Sequence, residues 1–344
     1  MSDKIGPADG SSEPIGAKLA RLRLGWQEPK IVMAGVELGL YDRLGREPAD
    51  VSELARDLGV TARGIEILAD ALVAAGYLTK QHGRYANSAE TDRLLVRGRP
   101  GSVAHALAHS NETLRNWARL EETIRHGLQR DERNKPTLSD PVSNRNFILA
   151  MADVSRDRVG PVLDRLPLAQ TRRLVDLGGG PGQYACEAAR RHPALSAVVV
   201  DLPLTVNVAR EQIALQGLEA RVATHVCDFY AVPELDLGGP TDAVLISQVL
   251  HAEGPAENRE LLRKLAPHVL PGGWVAVSEN LVNEGRTTPL GAAMFAVNML
   301  AGTARGRTYT EAEIAGWLTE AGFTPERAAE VGERTWIMLA RQRG

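Results

Sequence analysis

The residues between 175 and 182, Val-Asp-Leu-Gly-Gly-Gly-Pro-Gly, form the most chemically suggestive segment of the chain. They follow an apolar run typical of a buried strand and precede a helical stretch, so they predict a turn from strand to helix. Gly178, Gly180 and Gly182 would let a ligand approach the main chain closely. Several nucleotide-binding folds share such a turn, but Ala185 stands where the last glycine of a dinucleotide fingerprint would lie. The spacing therefore argues against a dinucleotide site.

Two acidic positions further along the chain are suited to a nucleoside. Asp201 ends the second apolar run, 23 residues after Gly178, where a carboxylate can bind both hydroxyls of a ribose. Its alternative role is a helix N-cap, which the following Pro203 weakens. Asp228-Phe229 ends the third run, and there an acid can accept from the amino group of an adenine while the ring stacks on it. Asp228 alone is also typical of an ordinary strand end, but the turn, the acid and the Asp-Phe pair together are more specific.

Composition excludes several other classes of protein. The chain has 344 residues, enough for two domains, with 44% hydrophobic and 24% charged residues and a net charge of −3. It has no excess of cations for nucleic acid, and its apolar runs fall short of the ~20 residues of a membrane span. The polar, Gly/Pro/Ser-rich N-terminus is typical of neither a signal nor a transit peptide. Cys186 and Cys227 form no disulfide or metal pattern, so we expect reduced thiols in a cytoplasmic protein.

The first half of the chain is expected to be mostly helical. Residues 1–15 read as a disordered tail, residues 16–100 as a winged-helix-like domain and residues 101–168 as a helical linker. The winged-helix prediction depends on two short helices followed by a hairpin around His82-Gly83.

A winged helix invites a DNA-binding interpretation, which the charges oppose. Residues 1–100 hold 14 Lys or Arg and 14 Asp or Glu. A recognition helix must bring an excess of cations to the phosphates. A dimerisation module is therefore favoured for this domain.

Residues 169–344 predict an α/β domain. Five short apolar runs fit buried strands: RRLVDLGGG, SAVVVD, RVATHVCD, DAVLIS and GGWVAVSE. Helical stretches separate them, which predicts a parallel, doubly wound sheet. Two later runs, TPERAAEVG and RTWIMLARQ, can add a final pair of strands.

The motifs DLGGGPG, VVVDLP, CDFY, LISQVLH, LPGGWVAVSE and GRTYTEAEIAGWLTEAGF, in that order, resemble those of class I S-adenosylmethionine (SAM)-dependent small-molecule O-methyltransferases. The resemblance is to the plant phenolic and bacterial natural-product type and covers about residues 15–341. It implies a Rossmann-like SAM-methyltransferase sheet and a homodimer formed through the N-terminal domain. It also implies a methyl transfer from SAM to a hydroxyl of a flat, aromatic or polyketide-like small molecule, which yields S-adenosylhomocysteine (SAH) and involves neither nucleic acid nor membrane.

The resemblance implies a cofactor site at the ends of four strands. The three glycines of the turn would line the methionine part of SAM, while the two acids, Leu202 and Phe229 would hold the ribose and the adenine. Ser247 occupies a further cofactor position, often a lysine in the plant enzymes. The implied cofactor residues are Gly178, Gly180, Gly182, Asp201, Leu202, Asp228, Phe229 and Ser247.

The resemblance also implies the residues of the reaction. His251 matches the general base and Glu279 matches an acid that orients it; a carboxylate on the second ring nitrogen would fix the tautomer of a histidine whose ordinary pKa is about 6.5. Methionines match positions that clamp a flat acceptor, a task suited to their adaptable side chains. The implied acceptor residues are Met151, Asn298, Met299 and His109. Each also has a plainer interpretation as a strand-end, surface or core residue.

His105 and His109 are spaced i, i+4, as in some metal sites. No third ligand lies at a suitable spacing, so we expect no metal.

Two departures from the family pattern keep alternatives open. Ala252-Glu253 follows the histidine where Asp-Trp is common, and Gly306 stands where plant members place a second acid. The incomplete set raises the alternative of a SAM enzyme of the same fold that methylates carbon or nitrogen, or that hydroxylates instead. A DNA-binding regulator with a SAM-like effector is a third possibility, opposed by the charge count.

Overall fold

The computed structural model describes residues 14–128, 136–332 and 335–343. Two compact units divide between residues 115 and 116. That division lies within the predicted helical linker, residues 101–168. The predicted domain bounds at residues 100 and 168 stay a prediction. Most of the predicted disordered tail, residues 1–15, lies outside the described residues.

The N-terminal unit is mainly helical. Its described elements are α1 (Ile15–Leu24), α2 (Gln27–Glu37), α3 (Leu40–Leu44), α4 (Val51–Leu58), α5 (Ala62–Ala74), β1 (Leu78–Gln81), β2 (Arg84–Asn87), α6 (Ala89–Leu95) and α7 (Ala104–Trp117). Asp50, Thr61 and Ser88 begin α4, α5 and α6, because each side chain accepts a hydrogen bond from the main chain three residues later.

The predicted hairpin is present in this unit. β1 and β2 pair antiparallel, and His82 and Gly83 form the turn with φ values of 48° and 77°. Two positive φ values are what a tight hairpin turn requires. Tyr85 of β2 is fully buried in the apolar core with Leu54 and Leu72, so the hairpin packs on α4 and α5.

The C-terminal unit alternates strands and helices. Its described elements are α8 (Leu120–His126), α9 (Pro136–Ser139), α10 (Pro141–Leu163), β3 (Arg173–Leu177), α11 (Gln183–Arg191), β4 (Ser196–Asp201), α12 (Pro203–Ala214), β5 (Val222–Val226), β6 (Thr241–Ser247), α13 (Pro255–Leu265), β7 (Val269–Glu279), β8 (Leu281–Val282), α14 (Leu290–Gly302), β9 (Tyr309–Thr310), α15 (Glu311–Glu320), β10 (Phe323–Pro325), β11 (Ala329–Glu330) and β12 (Trp336–Gln342).

One eight-stranded sheet organises this unit. Its order is β10-β12-β7-β6-β3-β4-β5, with β11 beside β12. The five strands from β7 to β5 are parallel, and β12 runs antiparallel to β7. The predicted α/β fold with its parallel sheet is confirmed. The last strands add an antiparallel edge: the first run of the predicted final pair contributes to two short strands, β10 and β11, and the second run forms β12.

The parallel strands are nearly continuous apolar runs because both faces of the sheet are covered. Residues 243–246 of β6 are fully buried, and two separate apolar clusters pack on opposite faces. The carboxyl ends of β3, β4, β5, β6 and β7 therefore meet at one edge, where open α/β sheets bind their ligands.

Within the described ranges, no helix is long and apolar enough to cross a membrane.

Candidate active site

The glycine-rich turn after β3 has the shape that a close ligand contact requires. Gly178 has φ 70°, and a Cβ there would lie 2.6 Å from Cγ2 of Val249, so only glycine fits. Gly180 has φ 53°, and a Cβ there would meet nothing within 4 Å. The main chain of the turn therefore borders open space, as an incoming nucleoside needs.

Asp201 ends β4 directly beside this turn. Its Oδ2 accepts from the N–H of Gly180 at 2.9 Å, and its Oδ1 accepts from the N–H of Leu202 at 2.7 Å. Burial raises the pKa of this carboxyl to about 6, against the lowering effect of the two main-chain donors. The Thr205 hydroxyl also hydrogen-bonds to this carboxyl. A carboxylate has about four lone-pair positions, so it can still accept from a ribose hydroxyl. The residues present thus fit a SAM ribose.

A second acid, Asp176 in β3, lies beneath the turn and received no role in the sequence analysis. It is fully buried, and its Oδ2 accepts from the N–H of Ala185 at 3.3 Å. A Cβ on Gly179 would lie 2.7 Å from the same oxygen. Burial, with the nearby charge of Asp201, raises the pKa of Asp176 to about 7. The sequence signal that could have identified this position was an acidic residue within an apolar strand, two residues before the glycine turn.

The loop after β5 lies against the glycine turn. Asp228 is exposed, and its Oδ1 accepts from the N–H of Ala231 at 3.2 Å. Phe229 is buried, with its Cζ 3.4 Å from where a Cβ of Gly178 would stand. The structure thus brings Phe229 to the turn and leaves the Asp228 carboxylate at the surface of the loop.

His251 and Glu279 meet across the ends of β6 and β7. Oε2 of Glu279 lies 2.8 Å from Nδ1 of His251, and Oε1 accepts from the main-chain N–H of His251 at 3.3 Å. The Glu279 side chain is 3% exposed and that of His251 is 14% exposed. A carboxylate only accepts hydrogen bonds, so this contact assigns the proton to Nδ1 and the lone pair to Nε2.

Phe295 of α14 fixes the other side of the imidazole, a contact that the sequence analysis missed. The two rings pack edge to face, with centroids 4.8 Å apart and an interplanar angle of 84°. The position lies three residues before Asn298 on the same helix, so the helical spacing was the only available signal.

Gly306 explains the missing second acid. A Cβ there would lie 2.9 Å from the carbonyl oxygen of Ala252 and even closer to the carbonyl oxygen of His251 and to Oγ1 of Thr303. The N–H of Arg307 donates to the same His251 carbonyl at 2.9 Å. Main chain therefore fills the space at Gly306, and any side chain there would displace the turn that carries His251.

The strand that precedes His251 ends in an unusual conformation. Ser247 is half-buried beside the buried Tyr184, and Gln248 has φ 58°, which is uncommon outside glycine. The side chain of Gln248 donates to the carbonyl of Ser278 at 3.2 Å and accepts from Asn280 at 3.0 Å. These bonds fix the end of β6 against the end of β7.

The predicted acceptor residues are spread over α10 and α14. Met299 is 9% exposed and Met151 is half-buried. Oδ1 of Asn298 accepts from the indole N–H of Trp117 at 3.0 Å. Trp117 is a missed neighbour of this group, separated by 181 residues from its partner.

His109, the remaining predicted acceptor residue, belongs to the N-terminal unit. It lies on α7, and burial lowers the pKa of its imidazole, against the effect of nearby Glu112.

Among the described residues, no cluster of three or more His, Cys, Asp or Glu side chains is placed to hold a metal ion.

Two family models match the chain. An O-methyltransferase domain matches residues 117–324, and an O-methyltransferase dimerisation domain matches residues 21–97. The first covers more than half of the 344 residues.

Similar proteins share nearly the full length of the chain. The 3-hydroxy-5-methyl-1-naphthoate 3-O-methyltransferase of Streptomyces sahachiroi is 35% identical over 320 residues, which cover 90% of each protein. The tetracenomycin polyketide synthesis 8-O-methyl transferase of Streptomyces glaucescens is 29% identical, over 94% of this chain and 96% of the relative. The crystal structure of human N-acetylserotonin methyltransferase with SAM has a TM-score of 0.82 and 26% identity, over 97% of this chain and 100% of that one.

Proposed function

This chain belongs to the family of SAM-dependent O-methyltransferases with a dimerisation domain, and on that premise we propose that it methylates a hydroxyl of a flat, fused-ring aromatic or polyketide-like molecule, with His251 as general base. The observation that carries the proposal is the 2.8 Å contact between Nδ1 of His251 and Oε2 of Glu279.

The cofactor residues that we propose lie at the carboxyl edge of the sheet. The turn at Gly178–Gly182 lines the methionine part of SAM, Asp201 and Leu202 hold the ribose, and the Asp228-Phe229 loop holds the adenine. The open space over Gly180 and the remaining acceptor capacity of the Asp201 carboxylate support this assignment. Ser247 completes the wall next to His251. SAM supplies an electrophilic methyl group when bound.

The protein contributes a proton acceptor and its orientation. Glu279 holds the proton of His251 on Nδ1, so Nε2 takes the proton of the acceptor hydroxyl. The Glu279 carboxylate then stabilises the imidazolium that results, as the acid of a catalytic triad does. Phe295 holds the plane of the imidazole by its edge-to-face contact. Alignment of the acceptor hydroxyl with the methyl group can lower the barrier by up to about 7–11 kcal/mol.

A fused-ring acceptor suits Phe295 beside His251 and the side chains that we assign to the acceptor. Phe295, Met299 and Met151 offer flat or adaptable apolar surfaces. The indole N–H of Trp117 donates to Oδ1 of Asn298 and so fixes the orientation of the amide. The amide can then donate a hydrogen bond to an oxygen on the acceptor ring. The relatives from Streptomyces act, by name, on a naphthoate and in the synthesis of a tetracenomycin polyketide, which supports the same class.

We also propose a homodimer formed through the N-terminal unit. α1 has no buried residue, and Ile15, Leu19 and Leu22 are 68%, 59% and 63% exposed. Their i, i+4, i+7 spacing forms one apolar stripe, which a second copy would cover.

The base is tested by the rates of two histidine variants with hydroxynaphthoates as acceptors. His251→Ala is expected to lower kcat about 10²–10⁴-fold, because the hydroxyl then loses its proton acceptor. His268→Ala is the control, since His268 precedes β7 and lies at the opposite edge of the sheet.

Near wild-type kcat in His251→Ala would refute the base. Binding of SAM without turnover of any hydroxynaphthoate, hydroxyanthraquinone or other fused-ring phenol would refute the acceptor class.

A further inference from the structure

Helix α13 contacts two loops that have different roles in the proposed reaction. One is the loop 228–232 after β5, which we call the adenine loop. The other is the turn 250–253, which carries His251 and which we call the base turn. Both loops contact buried polar side chains of α13, so the helix is more than packing for the sheet.

Asn258 of α13 bonds to both loops. Its Nδ2 donates to the carbonyl of Leu250 at 2.9 Å and, more weakly, to that of Glu253 at 3.4 Å. Its Oδ1 accepts from the hydroxyl of Tyr230 at 2.7 Å. The two carbonyls accept only, so they fix the orientation of the amide, and Tyr230 must be the donor on the other side.

The hydroxyl of Tyr230 is well suited to a permanent donor. Burial, with the nearby charges of Glu253 and Glu279, raises the pKa of the phenol well above its usual value. It is therefore protonated at neutral pH. Glu253 belongs to the base turn, and Glu279 is the hydrogen-bond partner of His251. Because both charges act on Tyr230, its side chain extends from the adenine loop towards the base.

Lys264 anchors the adenine loop to the same helix. Lys264 is 8% exposed, and its ammonium donates to the carbonyls of Phe229 at 2.8 Å and Val232 at 2.7 Å. A buried charge on two carbonyl oxygens is costly unless the bonds are kept. These two bonds therefore tie the adenine loop to α13.

We propose that Asn258 is a positioning residue that couples the adenine side of the cofactor site to His251, through the hydrogen bonds Tyr230–Asn258–Leu250. The inference rests on the proposed function for the role of His251 and of the adenine loop. Ordering of the loop by the cofactor holds Tyr230, Tyr230 holds the amide, and the amide holds the carbonyl that precedes His251. The base is then best ordered when the cofactor is present.

The plainer explanation is that Asn258 only satisfies buried main-chain groups. It is fully buried, and such side chains are usually hydrogen-bonded. Under that explanation the cofactor would not affect the base turn through Tyr230. The two explanations differ in what happens when only the Tyr230 hydroxyl is removed.

Hydrogen–deuterium exchange of the full chain distinguishes the two explanations. It is measured with and without SAH, at the same fractional saturation for each variant. In the wild type, SAH is expected to slow exchange several-fold in peptides that contain the adenine loop and the base turn. In Tyr230→Phe the adenine loop should keep its protection, while the protection of the base turn falls at least twofold. Asn258→Leu should act in the same way, and Tyr230→Phe keeps the test valid if that variant does not fold.

Tyr309→Phe is the matched control. The Tyr309 hydroxyl donates to the carbonyl of Glu253, so its removal loosens the base turn without cutting the link. It should raise exchange in the free and the SAH-bound protein alike and leave the protection ratio unchanged.

Equal SAH protection of the base turn in Tyr230→Phe and the wild type would overturn the coupling. Methyl transfer without coupled protection would overturn the coupling alone and leave the proposed function intact. Coupled protection without methyl transfer to a hydroxyl would do the reverse.

Discussion

Two acids at the glycine turn, the half-buried Asp201 and the fully buried Asp176, have different roles. Asp201, which we assign to the ribose, holds the turn through the N–H of Gly180, whereas Asp176 lies beneath the turn and accepts from the N–H of Ala185. Burial raises the pKa of both, to about 6 and about 7. Both pKa values lie in a pH range that is open to experiment, so each acid predicts a property of the protein that changes with pH.

Asp201 predicts pH-dependent cofactor affinity. Ribose hydroxyls donate to the ionised carboxylate, so protonation below about pH 6 removes their acceptor. One linked proton gives at most a tenfold weaker Kd per pH unit, and we expect titration calorimetry with SAH to approach that slope between pH 6 and pH 5. Asp201→Asn should bind more weakly at pH 8 and show little of the slope. An Asn variant with the slope of the wild type would contradict the assignment.

Asp176 predicts pH-dependent stability. Its pKa is raised in the folded state from 3.8 to about 7, so its contribution to the free energy of unfolding is complete below about pH 4 and is lost as the pH rises through 7. Asp176→Asn cannot ionise. In urea titrations at several pH values, the stability of this variant relative to the wild type should therefore increase from pH 4 to pH 8. A constant difference would show that Asp176 does not titrate in this range.

The sequence allowed the residues at strand ends to be predicted and left those on helices unrecognised. His251 and Glu279 could be paired because parallel strands end at one edge, and the motifs marked both positions. Asn258 and Lys264 could not, because polar residues on a helix are by default expected to face water. Trp117 and Asn298 contact each other across 181 residues, which no periodicity predicts.

At the scale of elements, the segment between α14 and β9 acts as a support for the base turn. The N–H of Gly306 donates to Oγ1 of Thr303 at 2.9 Å, and Arg307 bonds to the carbonyl of His251. Ion pairs from Arg305 to Glu253 at 2.9 Å and Glu257 at 3.3 Å tie the segment to the start of α13. The carbonyls of His251 and Ala252 and the Thr303 hydroxyl thus fill the position at which plant members carry a second acid.

Gly306→Ala is expected to disturb this support. The added methyl overlaps the carbonyl oxygens of His251 and Ala252, and overpacking of this kind costs about 1–3 kcal/mol of stability. A displacement of the base by 1 Å lowers the rate about 10²-fold, which we expect to see in kcat.

Gly316→Ala is the control for this prediction. A Cβ at Gly316 on α15 meets nothing within 4 Å, so the rate and the melting temperature should be unaffected or slightly raised. Full activity in Gly306→Ala would show that the base turn tolerates movement.

At the scale of the whole molecule, the apolar stripe of α1 predicts the oligomeric state. Sedimentation equilibrium should give a mass twice that of the 37.1 kDa chain. Leu19→Glu combined with Leu22→Glu places two charges in the stripe and should shift the mass towards that of one chain. Leu215→Glu, at an 80% exposed position after α12, should leave the dimer intact. An undisturbed dimer in the double variant would place the contact elsewhere.

The most direct test of the central claim follows the methyl group itself. The protein is incubated with SAM that carries a deuterated methyl and with an extract of small molecules rich in fused-ring phenols, and mass spectrometry locates the label. We predict a methyl ether in which deuterium replaces all the hydrogens of the transferred methyl group, with the label on an aromatic oxygen. His251→Ala should form this product far more slowly. Label on carbon or nitrogen, or SAM binding with no labelled product, would contradict hydroxyl methylation by this site.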